Sequence, residues 1–238
     1  QDVHVGKEIG IGAILGAPFL LATLAMFVTG LAVVILRSLG KREHKMNANY
    51  VVMFRDLKFF FFSYTLAIAA GFIHIPFIKY ICAAALVGYY LVYVFRTLNC
   101  SHSACGEVAE VDELLFERIF KKYNTFLVWL QVLISIGALI VFAHMFVGQI
   151  RFFADLFHIN PLVLSLILAP IATELPEKFN SVLWVSQNKD TLALGNITGA
   201  MVFQSCIPTA IGILLTPWVF GAESVINIIL VYLSLIHI

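Results

Sequence analysis

Leu164-Ser-Leu-Ile-Leu-Ala-Pro170-Ile-Ala-Thr173-Glu174-Leu-Pro176-Glu177-Lys-Phe-Asn180-Ser181 sets two acids and two prolines inside a run that is otherwise apolar. The run belongs to a stretch, roughly 156–187, long enough to cross a bilayer, for which about 20 residues suffice. A carboxylate at the centre of a membrane helix costs on the order of 2.5–3.5 kcal/mol to insert, so it needs a partner or a task. On a helix, Thr173, Glu177, Asn180 and Ser181 share one face, and Glu174 lies three residues before Glu177. Pro176 offers no N–H to the carbonyl of Ala172, and Pro170 offers none to Leu166. The sequence therefore predicts a broken helix presenting carboxylates, hydroxyls and bare carbonyls at one level. Such hard oxygen donors suit Ca2+ or Na+. Without a run of His or Cys nearby, zinc and copper are disfavoured. The competing reading pairs Glu174 with Lys178 at i,i+4 as a surface ion pair, which leaves Glu177 as the working acid.

The rest of the chain has the same character. It is 61% hydrophobic and 12% charged, against about 25% charged for a soluble domain, and its mean hydropathy is +0.95. Apolar runs cover approximately 9–36, 59–75, 76–95, 125–147, 156–187, 191–220 and 225–238. They lack period-two alternation and are too long for strands, and helices satisfy their own backbone groups in lipid. The expected class is an all-α, polytopic membrane protein embedded in the lipid bilayer. A Pro76 turn separates the second and third runs. Tyr50, Tyr80, Trp129 and Trp218 fit interfacial anchors, and the Phe59-Phe-Phe-Phe62 run reads as lipid-facing bulk. A net charge of +1 gives no reason to expect nucleic acid.

Two polar connections lie at 37–58 and 96–122. The first holds Arg37, Lys41, Arg42, Lys45, Arg55 and Lys58, which places it in the cytoplasm by the positive-inside rule. Counting spans forward puts the second there too, with a short surface helix near 111–120. Cys100, His102 and Cys105 in it lack a fourth metal ligand and read as ordinary loop. Cys82, Cys100, Cys105 and Cys206 are too scattered for a disulfide framework. The sequence opens on Gln1, and its last run is short for a span, so it reads as part of a longer protein.

Gly12-Ala-Ile-Leu-Gly-Ala17 matches Gly195-Asn-Ile-Thr-Gly-Ala200 at four of six positions. Counting spans makes the two copies antiparallel, as an inverted repeat requires; the alternative is that the glycines serve close helix packing. The sixth run also carries Asn196, Thr198, Gln204 and Ser205, and Pro208 frees the carbonyl of Gln204. Amide oxygens there would complete a cation site without adding charge.

Ala172-Thr-Glu-Leu-Pro-Glu177 followed by Leu192-Ala-Leu-Gly-Asn-Ile-Thr-Gly199 resembles the second α-repeat of the calcium/cation antiporter superfamily, whose best-known members are sodium/calcium exchangers. The resemblance implies an inverted-repeat fold of ten helices, of which about seven are present here. Residues 1–95 would then be the remainder of the first half, 96–123 the cytoplasmic joining loop, and 124–238 the second half, with its α-repeat at about 160–216. It implies that Glu177 is the ion-binding glutamate and Thr173 a coordinating residue, with Glu174, Asn196, Gln204 and Ser181 completing the metal site. It implies antiport of Ca2+ or another cation against Na+ by alternating access, with no enzymatic activity, no cofactor and no obligate protein partner. Several positions depart from the family pattern. Glu174 stands where the family has Ser, Ala200 replaces a small hydroxyl residue, and Gln204 replaces Asn or Asp. In the first copy, Ala13, Ala17 and Leu21 stand where polar residues are expected. Fewer ligands around an acid pair suit one cation exchanged against H+, exchange involving K+ on the same fold is a further reading, and a scaffold that no longer transports is the remaining alternative.

Overall fold

The computed structural model describes residues 2–42, 46–73, 75–99 and 125–236, with the side chains of 2–5 and 175–177 outside the description. Among the described residues every regular element is helical: α1 (Asp2–Leu20), a π-helical turn (Leu21–Ala25), α2 (Met26–Ser38), α3 (Tyr50–Phe72), α4 (Pro76–Leu98), α5 (Thr125–Phe157), α6 (Pro161–Ser186), α7 (Asp190–Leu215) and α8 (Ala222–Leu235). Four helical stretches are long and apolar enough to cross a membrane, namely Gly6–Ser38, Pro76–Leu98, Thr125–Phe157 and Asp190–Leu215. The chain is thus a multi-pass membrane protein.

The helix starts follow from local chemistry. Asn49 and Asn160 each accept a backbone N–H two residues on, from Val51 and Leu162, which satisfies one of the donors a helix N-terminus leaves over. Pro161 and Pro76 occupy the first turns of α6 and α4, where a missing N–H costs nothing. The turn predicted at Pro76 is therefore present. Pro18 lies inside α1 and removes one backbone hydrogen bond. The helix widens into the π turn three residues later instead of stopping, so α1 and α2 form one long rod.

The core is built around α7, whose Ile197, Met201, Val202 and Cys206 are fully buried. The α3 residues Phe59, Phe60 and Tyr64, and Leu21 and Ala25 of the π turn, pack on it. Lipid tails are as apolar as these side chains, so association rests on close fit and polar contacts between helices. The glycines show it. A Cβ on Gly12 or Gly16 would collide with the carbonyl oxygens of Leu162 and Leu166 on α6, and one on Gly16 would come within 2.8 Å of Pro170 Cγ. Gly195 is different, since its nearest neighbour would be Val52 at 3.9 Å.

Several expectations are corrected. The loop predicted for 37–58 is shorter, because Arg55, Asp56 and Lys58 already belong to α3. Phe59 and Phe60 are core residues, and only Phe61 and Phe62 face outward; a helix cannot show four consecutive side chains to one side. Trp218 is no interfacial anchor. It is fully buried, donates from Nε1 to the Ala67 carbonyl at 3.0 Å, and fills the space beside Gly212. Tyr50, Tyr80 and Trp129 are exposed, as an anchor requires. The break expected at Pro170 and Pro176 is also absent, since α6 stays helical through both. Cys100, His102, Cys105, His74, His237 and the helix expected near 111–120 lie outside the described residues.

Candidate cation site

Glu174 sits close to the middle of the 26-residue helix α6, and Gln204 holds the matching place in α7. Depth along the helices therefore brings them level. Gln204 Nε2 donates to Glu174 Oε1 at 3.0 Å. On the other oxygen, Lys178 Nζ stands 3.9 Å from Oε2. The i,i+4 pairing thus exists, but it is not at a surface, because Glu174 is 5% exposed and Lys178 4%.

Leu20, Leu24, Ala25 and Val28, on and around the π turn, face this pair across a cleft floored by Pro170 and Ile171, with about 10 Å³ of room. That is space for roughly one water-sized particle. The wall formed by Leu20, Leu24, Ala25 and Val28 is apolar. Among the described residues, the polar side chains lining the cleft, Glu174 and Lys178, come from α6, and Gln204 reaches the acid from α7.

A second polar contact lies toward the far end of α6. Ser181 is fully buried. Its Oγ donates to the Ala193 carbonyl at 3.2 Å and accepts from Asn196 Nδ2 at 3.3 Å. The structure thus joins Glu174 with Gln204, and Ser181 with Asn196. Thr173 joins neither pair: it is exposed, and its hydroxyl bonds back to the Ala169 carbonyl at 3.1 Å. The side chain of Glu177 lies outside the described residues; its backbone is one turn past Thr173 on α6. Two carbonyls expected to stand bare do not. The Gln204 carbonyl, which Pro208 cannot bond, accepts the Thr209 hydroxyl at 3.0 Å, and the Leu166 carbonyl is pressed against Gly16. Among the described residues, no three His, Cys, Asp or Glu side chains converge.

Sequence reasoning passed over two buried acids: Asp190, which is 3% exposed and paired with Arg42, and Asp56. Asp56 falls within 37–58, the stretch expected to be a polar connection, yet it is 1% exposed. It accepts from Thr198 Oγ1 at 2.8 Å, from Arg55 at 3.0 Å and from the Tyr93 hydroxyl, while the Arg55 guanidinium lies 5.6 Å from the Tyr93 ring centre. The signal available was that Asp56 stands seven residues before Ser63, matching the interval from Thr198 to Ser205. Both pairs bond, the second at 2.6 Å.

The profile of the sodium/calcium exchanger protein family matches residues 127–238, which include α6, α7 and the whole Glu174 cluster. Over that segment the chain is similar to the sodium/calcium exchanger family. A solved structure titled as the crystal structure of an H+/Ca2+ exchanger, CAX, aligns at a TM-score of 0.57 and 16% identity, covering 98% of this chain and 62% of that one. At that identity the likeness is one of fold, and the chain spans less than two thirds of that structure's length. It extends the exchanger fold across nearly all of the helices described above. No curated protein matches the chain.

Proposed function

We propose that this chain forms the larger part of a secondary antiporter that moves Ca2+ or another cation against Na+ by alternating access, with its site between α6 and α7. The observation that carries the proposal is the Glu174 carboxylate, buried at mid-helix and held by an amide from the neighbouring helix. A charge kept at such a depth marks an ion pathway more often than a scaffold. Family and fold favour a transporter over an enzyme. Glu177 is the principal ligand in this reading, with Glu174, Gln204, Asn196, Ser181 and Thr173 around it, and no cofactor is needed. Residues 1–95 and 124–238 act as the two halves that rock about the site, joined by 96–123 in the cytoplasm.

Coupling to H+ in place of Na+ is the second reading. Two observations favour it: the α1–α2 wall of the cleft supplies no oxygen ligand for further Na+ ions, and the solved structure sharing the fold is titled an H+/Ca2+ exchanger. Full-length protein in vesicles decides between them. Uptake of 45Ca2+ should follow an imposed Na+ gradient on the first reading and a pH gradient on the second, and Glu177→Gln should abolish it. Uptake unchanged in that variant would remove the mechanism, and no flux under either gradient would favour a scaffold.

A further inference from the structure

The matching hexapeptides set a register between α1 and α7, since Gly12–Ala17 and Gly195–Ala200 are offset by 183 residues. The helices beside them keep that register. Ser63 of α3 bonds Ser205 at 2.6 Å, and Ser234 of α8 donates to the Ala22 carbonyl at 2.7 Å. Ala22 and Ser205 are themselves 183 apart, so Ser234 answers to Ser63, an offset of 171. By that offset Ile226 answers to Arg55, Asn227 to Asp56 and Leu230 to Phe59. All three of the α3 residues touch Tyr93 of α4. Their counterparts on α8 instead line a groove of about 210 Å³ between α8 and α6, with Phe19 of α1 also in its wall.

Asn227 says what the groove requires. It is 7% exposed, and among the described residues its Oδ1 has no hydrogen-bond partner. A buried amide oxygen left unpaired is costly, and the bilayer core supplies no water to pair it. Asp56 meets the same need with the Tyr93 hydroxyl. The exchange of Arg55-Asp56 for Ile226-Asn227 is consistent with this: the counter-charge goes with the charge, and the demand for a donor stays. We propose that the groove between α6 and α8 seats a further membrane helix, supplied by the full-length chain beyond Ile238, which presents a hydroxyl or amide N–H to Asn227. That helix is to α8 what α4 is to α3. The solved structure sharing the fold is longer, these residues covering 62% of it, so a fold of that size has chain for such a helix. The inference does not depend on which ion is carried, or on transport at all.

Photo-cross-linking of the full-length protein in membranes tests the seat with Asn227 left native. Leu230, 42% exposed in the groove, is replaced by benzoylphenylalanine, and the adduct is read by mass spectrometry after digestion. The expected product joins residue 230 to a peptide of the same chain from beyond Ile238. The same side chain at Phe203, whose ring lies 5.6 Å from Tyr90, should capture α4 and serves as the positive control. An adduct to lipid, to a second copy or to chain preceding Gln1 overturns the proposal, as does no adduct while the control reacts. Asn227→Leu gives a second readout. Loss of the hydrogen bond should lower the unfolding temperature of the full-length protein in detergent by about 2–4 °C. An unchanged or raised temperature overturns the proposal, because a groove filled by lipid gains when an unpaired amide is removed.

Discussion

At the scale of single residues, Asp56 and Glu174 solve the same problem differently. Each is a carboxylate carried deep among apolar helices, but Asp56 is surrounded by donors from Arg55, Thr198 and Tyr93. Glu174 accepts from the Gln204 amide and has the Lys178 ammonium 3.9 Å from its other oxygen. A saturated acid has no oxygen to spare for an ion, so Asp56 is read as structural. Asp56→Ala should then lower stability by about 2 kcal/mol or more, since it removes the buried carboxylate that accepts from both Arg55 and Thr198. Thr198→Val, which removes one hydrogen bond inside the membrane, should cost only about 0.6–1.7 kcal/mol. Thermal unfolding in detergent would rank them, and an Asp56→Ala protein as stable as Thr198→Val would contradict the assignment. Gln204→Leu takes the opposite course. It removes the donor that orients Glu174, so cation affinity should fall by about tenfold with little change in unfolding temperature, measured by 45Ca2+ binding.

Among the elements, the two matching hexapeptides turn out to do different work. The glycines of the first copy are where α1 meets α6: Gly16 lies against the Leu166 carbonyl and the Pro170 ring, and no larger residue fits there without parting the helices. Gly16→Ala should therefore destabilise the protein by about 1–3 kcal/mol. Gly195→Ala should be neutral or stabilising by up to about 1 kcal/mol, because its nearest neighbour would be an ordinary 3.9 Å away and alanine is the better helix former. Paired unfolding curves test both, and equal losses would mean that the copies pack alike. This contrast also marks what the sequence made legible. Run lengths disclosed the helices, and Pro76 the turn between α3 and α4, because length and N–H content are properties of the chain itself. The Glu174–Gln204 contact was only half visible, since both residues stood out but their meeting depends on how α6 and α7 align in depth. The burial of Asp56 and Trp218 was hidden, because an acid near a helix start and a tryptophan past a helix end both normally sit at the interface. The bare carbonyl expected at Gln204 was misjudged for a related reason: a carbonyl freed by proline stands open only if nothing else reaches it, and the Thr209 hydroxyl does. Whether such a donor exists is decided by the fold.

Across the whole molecule, the contacts fix which helix ends share a level. Gly12 lies by Leu162, Gly16 by Leu166, and Val33 by Val185, so the α1–α2 rod runs parallel to α6. Asp56 with Thr198 and Ser63 with Ser205 make α3 parallel to α7. The two pairs run in opposite directions, and their ends are tied. At one level Arg42 bonds Asp190 and the Val185 carbonyl, and the Asn47 and Asn49 amides bond Asp190 and Thr191. At the other, Lys79 bonds the Pro217 carbonyl and Trp218 bonds Ala67. The first level carries the basic cluster of Arg37, Lys41 and Arg42 and is therefore expected on the cytoplasmic side. The connection after α7 is expected on the far side. Single cysteines at Lys41 and Val219, both exposed, check this in protein whose Cys100 and Cys105 are changed to Ser; Cys82 and Cys206 are buried. In intact cells a membrane-impermeant maleimide should label Val219→Cys and spare Lys41→Cys, and in inside-out vesicles the order should reverse. The same geometry sets the depth of the proposed ion site: Glu174 and Gln204 lie near the middle of α6 and α7, so an ion bound there would have half the membrane to cross either way. Labelling of both positions from one side would break that equivalence and remove the basis for alternating access, whatever the affinity of Glu174.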